Sequence, residues 1–323
     1  MSNDTVSLKF KLFSRGFLRG YVATMRPYLF FVSGITGIAG AAFSSSQSVT
    51  RIAMIAFASF FSYGFGQALT DCFQIDTDSI SSPYRPLTQG LLSRTVVLVV
   101  SGLGLTACVL IFGGLNPHTL LPGFLSGIGL LTYTWFKRRW WGGPFYNSWI
   151  VAILCIMAFN CGNSDSLLQL PDGLLLGAVF FGYANFVLAG YFKDISADRA
   201  TGYHTLPVVF GRMISSLVSD LFALLTILAS GALVARDLQG SLLHPAVIFL
   251  LAGLAASVSA QIRLHKVRKD EEAHAPTALT LHSYILLLSG LALSHRPGWF
   301  PALAMFYLAF ILILGTRPEK TQI

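Results

Sequence analysis

Ten apolar runs divide the 323-residue chain at nearly regular intervals. They lie near 27–44, 51–70, 94–114, 119–136, 145–161, 173–192, 213–235, 243–262, 278–294 and 298–315. A helix needs roughly 20 mostly apolar residues to cross a bilayer, so these runs predict membrane-spanning helices. The last two runs are short and close together, which leaves nine spans and a re-entrant piece as an alternative. The sequence therefore predicts an all-α fold, a polytopic transmembrane helical bundle of nine to ten spans that forms a single membrane domain over residues 1–323.

The composition excludes an ordinary soluble domain. Hydrophobic residues make up 54% of the chain and charged residues only 11%, whereas a soluble domain carries roughly 25% charged residues. The net charge of +8 is divided among short clusters between the apolar runs, and nucleic-acid binding would need one basic face or stripe. We therefore expect the lipid bilayer as a partner and no nucleic acid.

The basic residues also predict an orientation. If all ten runs span the membrane, only Arg51, Arg236 and Arg296 of the 22 Lys and Arg residues fall on the side opposite the N-terminus. Cytoplasmic loops are rich in Lys and Arg, so the sequence predicts a cytoplasmic N-terminus. Two acidic clusters, in the polar segments 71–93 and 193–212, fall on the same cytoplasmic side.

The N-terminal segment, residues 1–21, is basic. Within it, residues 8–21 (LKFKLFSRGFLRGY) mix Lys9, Lys11, Arg15 and Arg19 with Phe and Leu. This pattern favours a short helix lying on an anionic membrane surface. A transit peptide is the alternative interpretation, and the segment lacks the pattern of a cleavable signal peptide.

The first acidic cluster follows the second apolar run. If that helix continues a turn or two past the membrane, Asp71, Gln74 and Asp78 lie at i, i+3 and i+7, on one stripe of the helix. Asp76 falls off this stripe. Two prolines would then end the helix and leave Arg85 in a loop above it.

The second acidic cluster follows the sixth run. Asp194 and Asp198 are four residues apart, so they lie on one helical face. Lys193 and Arg199 flank them, and a Gly and a Pro farther along break the helix. Either cluster alone could be an ordinary solvated loop, but both lie on the same side and each follows an even-numbered run.

Carboxylates close to a hydrocarbon core are costly and usually functional. Four of them on two facing helix ends would repel each other unless a cation lay between them. Oxygen ligands without His or Cys indicate Mg²⁺ rather than zinc, because Mg²⁺ commonly binds one or two carboxylates together with substrate phosphates. A prenyl diphosphate fits this arrangement. Magnesium and nearby Lys or Arg would neutralise the departing diphosphate, and aromatic walls would shield an allylic cation from water.

At these residues the chain resembles the UbiA superfamily of intramembrane prenyltransferases. The first family motif, Asn-Asp-x-x-Asp-x-x-x-Asp followed by Arg-Pro-[Leu/Ile], stands here as Thr70-Asp71-x-x-Gln74-x-x-x-Asp78 with Arg85-Pro86-Leu87. The second motif is similar to Lys193-Asp194-x-x-x-Asp198 and the residues that follow to Gly211. Tyr133-Thr134-x-x-Lys137 looks like a family element after the fourth span, and Asn147 is a polar residue usual in the fifth.

The resemblance implies a helical bundle with a central cavity capped by the two cytoplasmic motif loops. It also implies Mg²⁺-dependent transfer of a prenyl group from its diphosphate to a lipophilic or aromatic acceptor. An acceptor-free terpene cyclase of the UbiA type is the alternative. A transporter is less consistent with the sequence, because the middles of the apolar runs contain essentially no charged residue. A scaffold would not need two matched acidic clusters.

Position 74 departs from the family pattern. Gln74 offers a carbonyl oxygen but no charged ligand. Three explanations stay open: Asp76 replaces the missing carboxylate after a local distortion, the site binds metal with fewer charges, or the chain belongs to a divergent branch.

The resemblance assigns roles to twelve residues. The expected metal ligands are Asp71, Gln74, Asp78, Asp194 and Asp198. The expected catalytic residues are Asp71, Asp78, Asp194, Asp198, Lys193 and Tyr133. Substrate contacts are expected from Gln74, Arg85, Lys137, Tyr191, Asn147 and Arg26. For Arg26, just before the first span, contact with an acidic acceptor and snorkelling to lipid headgroups both stay open.

Overall fold

A computed structural model of the protein describes residues 9–163, 167–238 and 243–317. These residues form thirteen α-helices: α1 Arg15–Met25, α2 Phe30–Ala42, α3 Val49–Asp71, α4 Ile75–Ser81, α5 Arg94–Leu115, α6 Leu120–Lys137, α7 Gly143–Gly162, α8 Gly173–Tyr191, α9 Ile195–Ala200, α10 Leu206–Leu238, α11 Pro245–Leu264, α12 His274–His295 and α13 Phe300–Gly315. The described ranges contain no β-strand, only one isolated bridge between Arg139 and His204. The predicted all-α fold is confirmed.

Each apolar run carries a helix, namely α2, α3, α5, α6, α7, α8, α10, α11, α12 and α13. Among the described helices, eight are long and apolar enough to cross a membrane, and the bent pair of α1 and α2 makes a ninth. The helices α12 and α13 each meet this criterion of length and composition, which favours two spans over one span and a re-entrant piece. Of the ten helices that carry apolar runs, α6 does not meet this criterion. It has 18 residues and ends in the less apolar sequence TYTWFK.

The first span is bent by 42° where α1 meets the helical segment that begins at Pro27. Arg26 lies at the bend with φ 56°, in the left-handed region that non-glycine residues rarely adopt. Such a conformation costs about 1–3 kcal/mol and persists only where the surroundings enforce it. The predicted interfacial segment 1–21 lies partly outside the described residues. In its described part, α1 begins at Arg15 and buries Phe17 and Tyr21 against the protein.

The end of the bundle opposite the two acidic clusters, which we call the far end, carries Arg51, Arg236 and Arg296. Two of these three side chains bind the ends of helices. Arg51 donates hydrogen bonds to the carbonyls of Leu115 and Cys161, at the ends of α5 and α7. Arg296 donates to the carbonyls of Ala42 and Ser44, at the end of α2. Carbonyls at helix C-termini lack partners within the helix and attract cations, so these side chains close this end of the bundle.

The loops of the other end contact one another. Thr77 of α4 donates a hydrogen bond to the carboxylate of Asp198 in α9 at 3.1 Å. Asp270, before α12, accepts hydrogen bonds from the Ser196 backbone and from the Arg212 side chain. The two acidic clusters and the loop before α12 therefore form one cap, which we call the motif end.

The centre of the bundle is close-packed around α2. Gly37 leaves room for Ser59 of α3, whose Oγ would collide with a Cβ at this position. Gly40 leaves room for α7, because the Cys155 carbonyl lies 2.5 Å from the corresponding position. Small residues of this kind let membrane helices approach closely, and here they hold α2 against α3 and α7, two of the helices that line the cavity described below.

Candidate active site at the motif end

A cavity opens at the motif end and holds about 1410 Å³ of empty space, including its open mouth. Its mouth contains four cations and three carboxylates: Arg26, Arg85, Lys137, Lys193, Asp71, Asp78 and Asp194. Its deeper walls are mostly apolar and come from α5, α6 and α7, with Phe112, Leu130 and Met157 among them. Eleven of the twelve residues predicted from the sequence line this cavity, the exception being Asp198.

Asp71 is the last residue of α3 and is only 3% exposed. The Arg26 guanidinium donates to both of its carboxylate oxygens, at 2.8 and 3.0 Å. Arg26 thus lies in the cavity wall and does not snorkel to the lipid headgroups. The left-handed backbone at Arg26 turns its side chain from the bend of the first span toward the end of α3.

Asp78 and Arg85 form a second buried pair. Arg85 Nη1 lies 2.6 Å from Asp78 Oδ2 and 3.9 Å from Asp71 Oδ2, so one guanidinium bridges the first motif. Burial lowers the pKa of Arg85, but the carboxylates of Asp78 and Asp71 raise it more strongly, and the net shift is upward. The Arg85 Nε is buried and has no hydrogen-bond partner among the described residues. A buried donor without a partner in a polar cavity indicates a site for an anionic ligand.

The expected continuous stripe in the first motif is wrong. The chain leaves the helix after Asp71 and starts α4 at Ile75, so Gln74 precedes a new short helix. Gln74 and Asp78 nevertheless face the same cavity as Asp71, because α4 folds back over its mouth. Gln74 accepts a hydrogen bond from Lys137 Nζ at 2.7 Å, which links the motif to the end of α6.

In the second motif, Lys193 and Asp194 lie side by side in the cavity mouth. Burial lowers the pKa of Lys193 to about 8, opposed by Asp194 and assisted by the cations Arg85 and Arg26. Burial opposes ionisation of Asp194, but Lys193 and Lys137 outweigh it and lower the pKa of this carboxyl. Asp194 is therefore an anion held among cations.

Asp198 lies behind the cavity wall. It is fully buried, and its two oxygens accept hydrogen bonds from Thr77 at 3.1 Å and from Thr205 at 3.2 Å. Burial raises the pKa of Asp198 to about 6, against the opposing effect of Lys137. The expectation that Asp194 and Asp198 share one working face is thus not met in this structure, since Asp198 joins α4, α9 and the start of α10.

Tyr133 and Tyr191 meet at the depth where the charged mouth gives way to the apolar cavity. Their hydroxyls are 3.0 Å apart, and both rings are buried. Asn147 of α7 lines the cavity together with them. Lys137 Nζ lies 5.6 Å from the centroid of the Tyr191 ring. The two tyrosines therefore connect the cations to the hydrocarbon-lined part of the cavity.

Asp76 faces away from the cavity. Its half-exposed carboxylate pairs with Arg138 at 2.9 Å and accepts a hydrogen bond from the Tyr203 hydroxyl at 3.1 Å. This arrangement is inconsistent with the idea that Asp76 replaces the carboxylate missing at position 74. It instead ties α4 to the loop after α9.

Sequence reasoning missed three residues that hold the carboxylates of the two motifs in place: Gln67, Thr77 and Thr205. Gln67, one turn before Asp71, donates a hydrogen bond to that carboxylate at 2.6 Å. The sequence does contain a feature that could have identified Gln67: it is an amide in an otherwise apolar helix, four residues before Asp71. This spacing places both side chains on one face of the helix. Thr77 and Thr205 carry no comparable local signal, because each acts on a partner far away in the chain.

The motif spacing and the bundle geometry can be compared with known proteins. The sequence profile of the UbiA prenyltransferase family matches residues 30–284, a range that includes both motifs and most of the cavity. The chain belongs to the UbiA prenyltransferase family. The resemblance expected from the two motifs is confirmed.

Solved structures of UbiA homologues share the fold. A homologue from Aeropyrum pernix K1 superimposes with a TM-score of 0.69 at 18% identity, over 81% of this chain and 96% of that one. A homologue from Archaeoglobus fulgidus, solved with DMAPP and Mg²⁺, superimposes with a TM-score of 0.61 at 16% identity, over 92% of this chain and 99% of that one. At these identities the likeness establishes the fold alone.

Curated relatives of this UbiA-family chain include two kinds of synthase. Digeranylgeranylglyceryl phosphate synthase from Thermococcus kodakarensis is 29% identical over 166 residues, 51% of this chain and 58% of that protein. Chloroplastic chlorophyll synthase from Arabidopsis thaliana is 28% identical over 161 residues, 46% of this chain and 41% of that protein. The match thus spans about half the length of these relatives.

The oxygen donors of the UbiA site fit Mg²⁺. Among the described residues, no three His, Cys, Asp or Glu side chains come close enough to hold one metal ion together. Mg²⁺ does not need such a cage, because it usually binds one or two carboxylates and takes its other ligands from substrate phosphates and water. The carboxylates of Asp71 and Asp78 keep lone pairs beyond those used by the arginines, and Gln74 keeps one beyond that used by Lys137.

We predict that Asp198→Ala loosens the cap. The change leaves Thr77 and Thr205 without their acceptor, and a hydrogen bond to a charged group is worth about 1.5–3 kcal/mol. Hydrogen–deuterium exchange of the backbone amides in 75–81 and 195–200 should therefore become roughly tenfold faster. Asp220→Ala, which removes a carboxylate that pairs with His265 of the segment after α11 and contacts neither segment, is the control and should leave these rates unchanged. Equal rates in Asp198→Ala and the unaltered protein would contradict the positioning role.

Proposed function

We propose that this protein ionises a prenyl diphosphate with the help of Mg²⁺ and transfers the prenyl group to a lipophilic or aromatic acceptor. The observation that carries the proposal is the composition of the cavity, in which four cations and three carboxylates line the mouth of an otherwise mostly apolar space. A charged diphosphate and its hydrocarbon tail need these two environments next to each other. Family membership and the fold are consistent with this chemistry.

The residues that would hold magnesium come from both motifs. Asp71, Gln74 and Asp78 offer one set of oxygens at the mouth, and Asp194 offers another across it. Asp198 stands behind Asp194 and would reach a metal only after leaving its threonine partners, so we assign it first to positioning the cap. When bound, magnesium would supply positive charge to the oxygens of the departing diphosphate.

The cations complete the diphosphate site. Arg85 presents its unpartnered Nε, and Lys137 and Lys193 lie in the same mouth. Preorganised cations of this kind stabilise charge as it develops on a leaving group, since they need little reorganisation. Arg26 neutralises Asp71 while substrate is absent, which avoids an unpaired carboxylate at the edge of the hydrocarbon layer.

The reaction exchanges one bond for another. The allylic C–O bond breaks and its electron pair leaves with the diphosphate. The new bond forms between that allylic carbon and a nucleophilic atom of the acceptor, which then loses a proton. Tyr133 and Tyr191 border the carbon next to the leaving group, and their ring faces attract positive charge. Their buried position also keeps water from that carbon.

Transfer to an acceptor is better supported than cyclisation without one. The relatives described above are named as synthases of digeranylgeranylglyceryl phosphate and of chlorophyll. Neither name indicates a cyclase. We therefore keep acceptor transfer as the proposed function and leave the acceptor defined by its class.

The direct test measures how fast the purified protein releases diphosphate from an added prenyl diphosphate. The assay contains either Mg²⁺ or EDTA, and a membrane extract supplies the acceptor. Asp71→Ala and Asp194→Ala should lower the Mg²⁺-dependent rate by roughly a hundredfold or more, since each removes charge stabilisation at the leaving group. The matched control is Asp76→Asn, which alters a motif carboxylate outside the cavity and should keep nearly the full rate. The proposal would be contradicted if EDTA did not lower the rate of diphosphate release, or if all three variants lost the same fraction of that rate.

The depth of the cavity indicates the length of the donor. Its lining residues follow one face of α6 from Lys137 through Tyr133 and Gly127 to Gly123. With 1.5 Å per helical residue, the stretch from Tyr133 to Gly123 is about 15 Å deep. An extended isoprene unit occupies roughly 5 Å, from ordinary carbon–carbon bond lengths. We propose a donor of three to four isoprene units, the fourth being accommodated by a folded chain.

Gly127 offers a way to shorten this space. A Cβ at Gly127 would meet no atom within 4 Å, and the residue lines the cavity about 9 Å below Tyr133. Gly127→Phe should therefore fold normally and lower turnover of farnesyl and geranylgeranyl diphosphate roughly tenfold, while geranyl diphosphate is retained. Gly102→Phe on α5, equally open but outside the cavity, is the control. A parallel decrease for all three donors would contradict the proposed depth.

We also propose that the motif end faces the cytoplasm. The basic residues of the motif end greatly outnumber Arg51, Arg236 and Arg296 at the other end, as the positive-inside rule requires.

Native cysteines Cys72, Cys108, Cys155 and Cys161 are all buried, so single cysteines can report the orientation against a low background. In intact cells, a membrane-impermeant maleimide should label Gln47→Cys at the far end and spare Glu271→Cys at the motif end until the membrane is opened. The reverse pattern would show that the motif end faces outward.

A further inference from the structure

A second concave surface lies outside the reaction cavity, between α1 and the C-terminal end of α13. It encloses about 940 Å³ of empty space, including its open side. One wall is formed by α1 and the following turn, with Leu18, Val22 and Tyr28, and the other by Ile313 and Arg317. None of its lining residues belongs to the reaction cavity described above. We call it the α1–α13 groove.

Two polar groups at the bottom of the groove have no partner. Tyr28 is only 3% exposed, and its hydroxyl makes no hydrogen bond to any described residue. The Nη1 of Arg317 is also buried without a hydrogen-bond partner in the described part of the chain. Leaving such groups unpaired costs free energy, and a cation costs more than a neutral hydroxyl. Both donors are therefore arranged for an acceptor from outside the described chain.

The charge of the groove indicates that this acceptor is an anion. Arg19, four residues after Arg15 on α1, adds a second guanidinium to the lining. Neither Arg19 nor Arg317 forms an ion pair with a carboxylate among the described residues. Burial lowers the pKa of Arg317, as expected for a cation without a counter-ion.

The walls of the groove indicate that the anion carries a hydrocarbon chain. Leu18 is 50% exposed and Val22 is 49% exposed, and both stand on the outer face of α1. The groove lies at the motif end, where α13 finishes and the first span bends, so its arginines are at the level of lipid headgroups. Basic side chains at this level attract anionic lipids, while apolar residues beside them contact acyl chains.

We propose that the α1–α13 groove binds one anionic membrane phospholipid, whose phosphate is held by Arg317, Tyr28 and Arg19 and whose acyl chain lies along Leu18, Val22 and Ile313. A soluble phosphate would satisfy the donors but leave the apolar walls uncovered. A zwitterionic lipid would cover the walls but bring its own cation to two arginines. The anionic phospholipid satisfies both halves of the site.

Occupation of the groove would brace the first span. The groove spans the bend, since Leu18 and Val22 precede Arg26 and Tyr28 follows it. A ligand that contacts both sides of the bend, together with α13, opposes separation of these elements. We therefore expect the bound lipid to raise the thermal stability of the protein, because a ligand that binds only the folded state stabilises that state.

The test measures lipid binding to the full-length protein by native mass spectrometry, after purification in detergent and removal of bound lipid. Phosphatidylglycerol, phosphatidylcholine and inorganic phosphate are added separately. One phosphatidylglycerol should bind tightly and raise the melting temperature, and phosphatidylcholine should bind roughly tenfold more weakly. Inorganic phosphate should give no comparable stabilisation. If phosphate alone stabilised the protein as well as phosphatidylglycerol, the groove would be a free-anion site and the lipid assignment would be wrong.

Three variants localise the binding. Arg317→Gln should weaken phosphatidylglycerol binding roughly tenfold, and Tyr28→Phe, which removes a single oxygen, should weaken it severalfold without disturbing the fold. Arg263→Gln removes an exposed arginine at the same end of the bundle and is the matched charge control. Equal binding by the unaltered protein, Arg317→Gln and Tyr28→Phe would overturn the proposal. So would an equal loss in all three variants, since that would indicate charge attraction by the whole surface.

Discussion

Charged side chains at the edge of a hydrocarbon layer must be paired, and this requirement organises the motif end. Asp71 and Asp78 are almost fully buried, yet each lies against an arginine, and Arg85 reaches both. A buried carboxylate whose partner is removed becomes strongly destabilising, so the pairs have to form together. The left-handed backbone at Arg26, the bend of the first span and the break after Asp71 are the local distortions that let these groups meet.

The same pairing gives the resting site its chemical character. Arginines and lysines occupy the positions around the carboxylates that a metal and a diphosphate would otherwise occupy. Under the proposed function, binding of the diphosphate with magnesium would exchange one set of ion pairs for another and would leave few charges uncompensated. The buried Nε of Arg85 has no hydrogen-bond partner among the described residues, and as part of a cation in the cavity mouth it is well placed to contact an incoming anion.

The sequence predicted the helices and most of the site because both depend on local patterns. Apolar runs of bilayer length fix the helices, and the spacing of Asp71, Gln74 and Asp78 marks the first motif. The sequence could not predict that α3 ends at Asp71, because the way α4 folds back over the cavity depends on tertiary contacts. For the same reason the role of Asp198 was missed: its partners Thr77 and Thr205 are assembled only in the fold.

The most direct test of the proposed site is a crystal structure of the protein, grown in a lipid mesophase with Mn²⁺ and a non-ionisable prenyl thiodiphosphate. Anomalous scattering from crystals of this complex would locate the metal in place of magnesium. We predict metal between the diphosphate and the carboxylates of Asp71, Asp78 and Asp194, with Arg85 on the phosphate oxygens and the tail directed along α6 toward Gly123. A diphosphate bound without metal, or bound away from this cavity, would contradict the proposed ionisation site.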